Sequence, residues 1–107
     1  MNQNQQGDVL LKKVTELPKG VKEIKSDKRG VVLAEGETTG HYHGISEDGV
    51  ALLECPKGKR YVKNSNSHSV NLTHQEHKPI TVDPGIWEIR IVREYDYFQE
   101  MERKVVD

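Results

Sequence analysis

Asp83-Pro84-Gly85-Ile86-Trp87-Glu88-Ile89-Arg90-Ile91-Val92-Arg93-Glu94 is the stretch whose reading decides the fold. Proline lacks a backbone donor and glycine tolerates positive φ, so Asp83-Pro84-Gly85 reads as a turn. Behind it, Trp87, Ile89 and Ile91 alternate with Glu88 and Arg90. A period of two marks a half-buried strand, predicted here over Ile86–Glu94, with Tyr95 and Tyr97 extending the same parity. Its odd face is expected to enter the core beside Leu10, Val32 and Leu52.

The same grammar recurs upstream. Val9, Leu10, Leu11 and Val14 give a strand over Asp8–Val14, ended by Leu17-Pro18-Lys19-Gly20. Val21–Lys25 reads as a short edge strand, and Val31-Val32-Leu33-Ala34 as a buried one. Val50–Cys55 and Lys59–Lys63 flank Pro56-Lys57-Gly58, a hairpin with proline and glycine placed for a type I turn. Val70 and Leu72 alternate with polar neighbours, as do Ile80 and Val82. Phe98, Met101 and Val105 instead follow a helical stripe. The expected architecture is all-β: one small β-barrel or sandwich domain over residues 8–97, cupin-like in one version. A flexible arm over 1–7 precedes it, and a short amphipathic helix or tail over 98–107 follows.

Composition sets the outer bounds. A chain of 107 residues is one domain by size. Its 31% charged and 34% hydrophobic residues make it polar for a globular domain, so much of it must face water, turns or partners. The formal net charge of −1 provides no field for nucleic acid or an anionic membrane. Lys57, Lys59, Arg60 and Lys63 with Tyr61 form a basic hairpin that could touch RNA, but a solvated hairpin is the default. No apolar run reaches membrane-spanning length. Met1–Gln6 lacks the apolar core of a secretory signal, so a host-cytoplasmic or, if phage-encoded, virion location is expected. Cys55 is the single cysteine; it excludes an internal disulfide and a cysteine-based zinc cluster, and reads as an apolar filler.

Chemistry concentrates in the histidines. All five lie between His41 and His77. His41-Tyr42-His43 places two imidazoles on one strand face, and His74-Gln75-Glu76-His77 carries a second pair. Neutral imidazole is the commonest protein ligand for transition metals, so His41, His43, His74 and His77 are candidate ligands for zinc, iron, manganese or nickel. Glu47 and Glu76 are candidate ligands or partners to the ligands. The alternative is structural: histidines on strand faces also simply hydrogen-bond to backbone or pack as aromatics. No catalytic residue is assigned.

Gly36-Glu37-Thr38-Thr39-Gly40-His41-Tyr42-His43, with Glu47 shortly after, resembles the first cupin motif. That resemblance implies a divalent-metal protein or metalloenzyme. The second cupin motif's histidine is missing after Pro84-Gly85, which leaves His74 or His77 to supply a third ligand. A wider resemblance runs over about positions 6 to 95. Gln6-Gly7-Asp8-Val9-Leu10-Leu11, Leu33-Ala34-Glu35-Gly36, Gly40-His41-Tyr42-His43, His74-Gln75-Glu76-His77-Lys78-Pro79-Ile80, Pro84-Gly85 and Arg93-Glu94-Tyr95 are similar to segments of small bacterial and phage proteins. Ile86-Trp87 stands where those carry a tyrosine.

Three function classes follow. The first is a non-enzymatic structural or interaction module, phage-linked by resemblance, such as a virion or capsid-decoration protein. It would contact protein partners or copies of itself through the arm and tail. The second is a cupin-like divalent-metal-binding protein, and the third a small RNA-contacting barrel.

Overall fold

The computed structural model describes residues 3–36 and 40–92. Ten strands run β1 Gln3–Gln6, β2 Val9–Val14, β3 Lys22–Ile24, β4 Val31–Glu35, β5 Tyr42–Ile45, β6 Val50–Glu54, β7 Arg60–Asn64, β8 Val70–Leu72, β9 Ile80–Val82 and β10 Gly85–Ile91. The expected helix or tail over 98–107 lies outside the described residues.

Six strands form an open antiparallel sheet in the order β1-β2-β10-β7-β6-β3. The hairpins β4–β5 and β8–β9 form the opposing layer, joined by a backbone pair between Gly44 and Thr73. The sheets do not close on themselves, so of the two all-β forms expected, the sandwich is the one built.

Register explains which face is buried. Ile89 lies opposite Leu11, and Trp87 opposite Val62. Val62 lies opposite Leu52, which in turn faces Ile24. Directly opposed residues share a sheet face, so these side chains make one apolar surface. Val31, Leu33, Ile45, Val70, Leu72 and Val82 cover it from the hairpin layer. Trp87 is fully buried, and its indole N–H donates to the Asp83 carbonyl at 3.0 Å.

Three expected core residues are placed differently. Leu10 and Val32 are half-buried, while their neighbours Val9, Leu11, Val31 and Leu33 fill the core. Both runs are apolar on both faces, so pattern alone could not set their parity; pairing with β10 and β5 did. Ile91 is 42% exposed because β7 stops at Arg60, opposite Ile89, leaving the end of β10 without that neighbour.

The N-terminal residues also depart from expectation. Gln3–Gln6, read as part of a loose arm, pairs with β2 as an edge strand, and Gln6 is buried. The β6–β7 turn forms as read, with the Gly58 N–H donating to the Cys55 carbonyl at 2.9 Å. Cys55 is a buried free thiol.

Trp87→Ala should cost about 3–5 kcal/mol, as other large-to-small core changes do. Chemical denaturation measures this directly, and a loss below about 1 kcal/mol would show that the core closes over the vacancy.

Candidate functional site

The short hairpin β8–β9 decides where the second histidine pair goes. Its strands have three residues each, too few to hold a position unaided. Two buried side-chain amides fasten it. At its base, Asn64 Nδ2 donates to the carbonyls of His68 and Val82, both at 3.0 Å. At its tip, Gln6 Nε2 donates to the carbonyls of Leu72 and Lys78, both at 2.9 Å. The loop between is tied to β5: Thr73 and Gly44 exchange backbone hydrogen bonds, and the Tyr42 N–H donates to Gln75 Oε1 at 2.8 Å.

These ties bring four histidines together. The His74 ring centroid lies 4.4 Å from that of His43, 4.6 Å from His77 and 5.6 Å from His41. His43 and His77 are 6.0 Å apart with nearly parallel rings. Tyr42 alternates to the other face, where the Arg29 guanidinium lies 4.7 Å above its ring. Arg29 is itself held by Asp27 at 2.7 Å and Glu35 at 3.0 Å. The alternation expected of His-Tyr-His is therefore realised. His68, the fifth histidine, is exposed, and its backbone carbonyl accepts from Asn64.

His43 is the fixed member, 4% exposed, with Nδ1 at 2.9 Å from Gln6 Oε1. Both hydrogens of the Gln6 amide point at carbonyls, so its oxygen can only accept. His43 Nδ1 must therefore carry the proton, which leaves Nε2 as a free lone pair. Burial, followed by the neighbouring His74 and His77, lowers the His43 pKa to about 4, with Asp8 opposing. Burial, then His77 and His41, also lowers that of His74, with Glu76 opposing. Both rings are neutral at pH 7, the form that can ligate.

The carboxylates divide. Glu76 Oε1 lies 3.8 Å from His41 Nδ1, at the edge of the cluster. Glu47 is engaged elsewhere, its Oε2 accepting the Asn71 N–H at 2.7 Å. As placed, no three His, Cys, Asp or Glu side chains among the described residues converge to hold a metal ion.

Sequence reasoning missed the floor of this site. Gln6 orients His43. The His77 ring rests on Gly7, where an added Cβ would lie 2.6 Å from His77 Nε2 and where φ is +54°. Asp8 raises the His43 pKa against burial. Nothing in the polar run before Gly7 distinguishes Gln6 from the exposed Gln3 and Gln5; only its placement beneath the loop does.

Fold and site together define a small open β-sandwich with a four-histidine cluster at one end of its hairpin layer. The chain belongs to the family described as Domain of unknown function (DUF8820), whose model matches residues 5–92. No curated protein and no solved structure matches it.

The depressed pKa of His43 makes stability pH-dependent. An unfolded imidazole titrates near 6.5. Between about 6.5 and about 4 the unfolded chain binds a proton that folded His43 refuses. Stability is thus complete above that window and falls as pH drops through it, by on the order of 3 kcal/mol for this group. Urea titrations at a series of pH values should show this slope, and His43→Asn should flatten most of it. A slope unchanged by the substitution would assign it to other groups.

Proposed function

We propose that this domain binds a divalent transition-metal ion through its histidine cluster, without enzymatic activity of its own. The observation that carries the reading is the clustering of four imidazoles, two at the start of β5 and two in the loop of the β8–β9 hairpin, with His43 held in one tautomer by a buried amide. Metal-ligating histidines typically donate their second ring N–H to such a partner, which orients the ring and raises the basicity of the ligating nitrogen. Gln6 does this for His43, and a carboxylate oxygen of Glu76 lies 3.8 Å from His41 Nδ1. His43 would be the anchor. His41 and His77 lie nearer the solvent and would turn toward the ion, which the present ring positions require for binding. Zinc, iron, manganese and nickel all accept imidazole; nitrogen-only donors favour zinc or nickel over manganese.

A second reading keeps the structural or interaction module, with a phage-linked or virion-decorating role. Its support is the open sheet, which ends in the short strands β1 and β3, where backbone groups are presented to a partner. The RNA reading loses its aromatic: Tyr61 is 6% exposed and presents no ring for a base to stack on. No helix of the described residues is long and apolar enough to cross a membrane.

The test is equilibrium dialysis of untagged protein against zinc, followed by elemental analysis. Close to one ion per chain is expected, and the double variant His41→Ala, His43→Ala should retain none while still unfolding in one cooperative, if lower, thermal transition. A wild-type chain that takes up no zinc, nickel, iron or manganese would leave the histidines a purely structural role.

A further inference from the structure

A cavity of about 270 Å³ is walled by β3, β4, β6, β7 and the turn that joins β3 to β4. No histidine is among its described lining residues. Its apolar part is formed by Ile24, Val31, Ala34 and Leu52, which belong to the core or pack against it. The volume falls just under the roughly 300–1,000 Å³ of sites for drug-sized ligands, so it suits a smaller molecule.

Arg60 is the unusual member of this lining. It lies opposite Ile89, which lies opposite Leu11, so all three share the core-facing side of the sheet. An arginine is thus half-buried where the pattern calls for an apolar side chain. Inward-pointing charges guard exposed sheet edges, but β7 stands two strands in from the β3 edge. Nor does an internal ion pair account for it. Asp27 and Glu35 line the same cavity, and both are taken by Arg29, at 2.7 and 3.0 Å. Glu54 lies opposite Arg60 in the β6–β7 ladder but is exposed and makes no ion pair with it. Among the described residues, the Arg60 guanidinium has no carboxylate partner.

The wall facing Arg60 is fixed in advance. Asp27 and Gly30 exchange two backbone hydrogen bonds, at 3.2 and 3.0 Å. Gly30 has φ of +93°, and a Cβ there would collide with the Ile45 carbonyl, so the turn sits directly on β5. Arg29 then ties this turn to Glu35 at the end of β4. Walls held in this way lose little entropy when a ligand enters.

We propose that this cavity binds a small monocarboxylate with an apolar body, its carboxylate on Arg60 and its body against Ile24, Val31 and Leu52. Lys25, Arg29 and Arg60 against Asp27 and Glu35 leave the lining one positive charge in surplus, which matches a monoanion. A guanidinium pairs with a carboxylate through two parallel hydrogen bonds, and the partly dry setting strengthens them. A phosphate or sulfate would bring excess charge to an apolar floor rimmed by two carboxylates. The site is independent of the histidine cluster and of the metal reading.

The test is an NMR titration of the ¹⁵N-labelled full chain with isovalerate, in a buffer free of carboxylates and at constant ionic strength. Acetate supplies the charge without the body, and isovaleramide the body without the charge. Isovalerate should give saturable shifts centred on Ile24, Val31, Leu52 and Arg60. Acetate and isovaleramide should each bind about tenfold or more weakly. Arg60→Gln should lose about tenfold to a hundredfold, the scale of hydrogen bonds to a charged group. Ala34→Leu, which fills the cavity and keeps Arg60, should also lose binding. Amide spectra of both variants without ligand show that each is folded.

Acetate or chloride binding as well as isovalerate would reduce the site to a non-specific anion contact and overturn the proposal. A folded Arg60→Gln with unchanged affinity would do so too, as would shifts centred away from the cavity. A wild type without saturable shifts would leave Arg60 simply solvated at the open end of the core. None of these outcomes bears on zinc uptake by the histidines, so the two readings fail separately.

Discussion

The buried amide of Gln6 is the interaction on which the rest of the site depends. It uses all its principal hydrogen-bonding capacity: two carbonyls on the β8–β9 hairpin and one imidazole on β5. No buried side-chain nitrogen or oxygen among the described residues lacks a partner. An open sandwich with short hairpins cannot rely on long ladders to fix its second layer, so it uses side-chain amides instead. Asn64 does the same at the other end of the hairpin. Loss of either amide would strip two carbonyls of their donor, one of them buried, at about 1–3 kcal/mol for the buried group. That asymmetry gives a small polar chain a defined arrangement where apolar burial alone would leave the hairpin free to slide.

How far the sequence could be read follows from the kind of signal each element carries. β10 was legible because Trp87 and Ile89 alternate with charged residues after a strong turn. The β6–β7 hairpin was legible because proline and glycine sit where a type I turn needs them. β2 and β4 were legible as strands but not in parity, since Val9-Leu10-Leu11 and Val31-Val32-Leu33 are apolar on both faces. The shift in β4–β5 register between Val32 and Ala34 adds a displacement that no periodicity records. β1 carried no signal at all: Gln3-Asn4-Gln5-Gln6 has no apolar period, and its strand state comes from pairing with β2 and from hydrogen bonds made by its side chains.

The site divides along the same line. Alternation was enough to place His41 and His43 on one face, and the histidine missing after Pro84-Gly85 was what singled out His74 or His77 as a third partner. The carboxylates were not readable. Glu47 follows His43 closely in sequence yet bonds the Asn71 backbone, while Glu76 reaches His41 from another loop. Spacing along a chain identifies neighbours on one element; it says nothing about which groups of a second element will be left free once backbone donors have taken theirs.

That competition for donors governs the histidines as well. Four similar rings in one cluster are not chemically equivalent, because each is polarised by what lies behind it. His43 has an amide oxygen at its back and offers a lone pair. His74 has two backbone N–H groups at its back and offers a proton. Neutral imidazoles pack closely without like-charge repulsion, and protonation of His74 at Nδ1 would break its two backbone hydrogen bonds. The burial that depresses the pKa of both His43 and His74 and the backbone bonds that polarise His74 therefore act together, keeping these two rings uncharged and their nitrogens sorted into donors and acceptors before any ligand arrives.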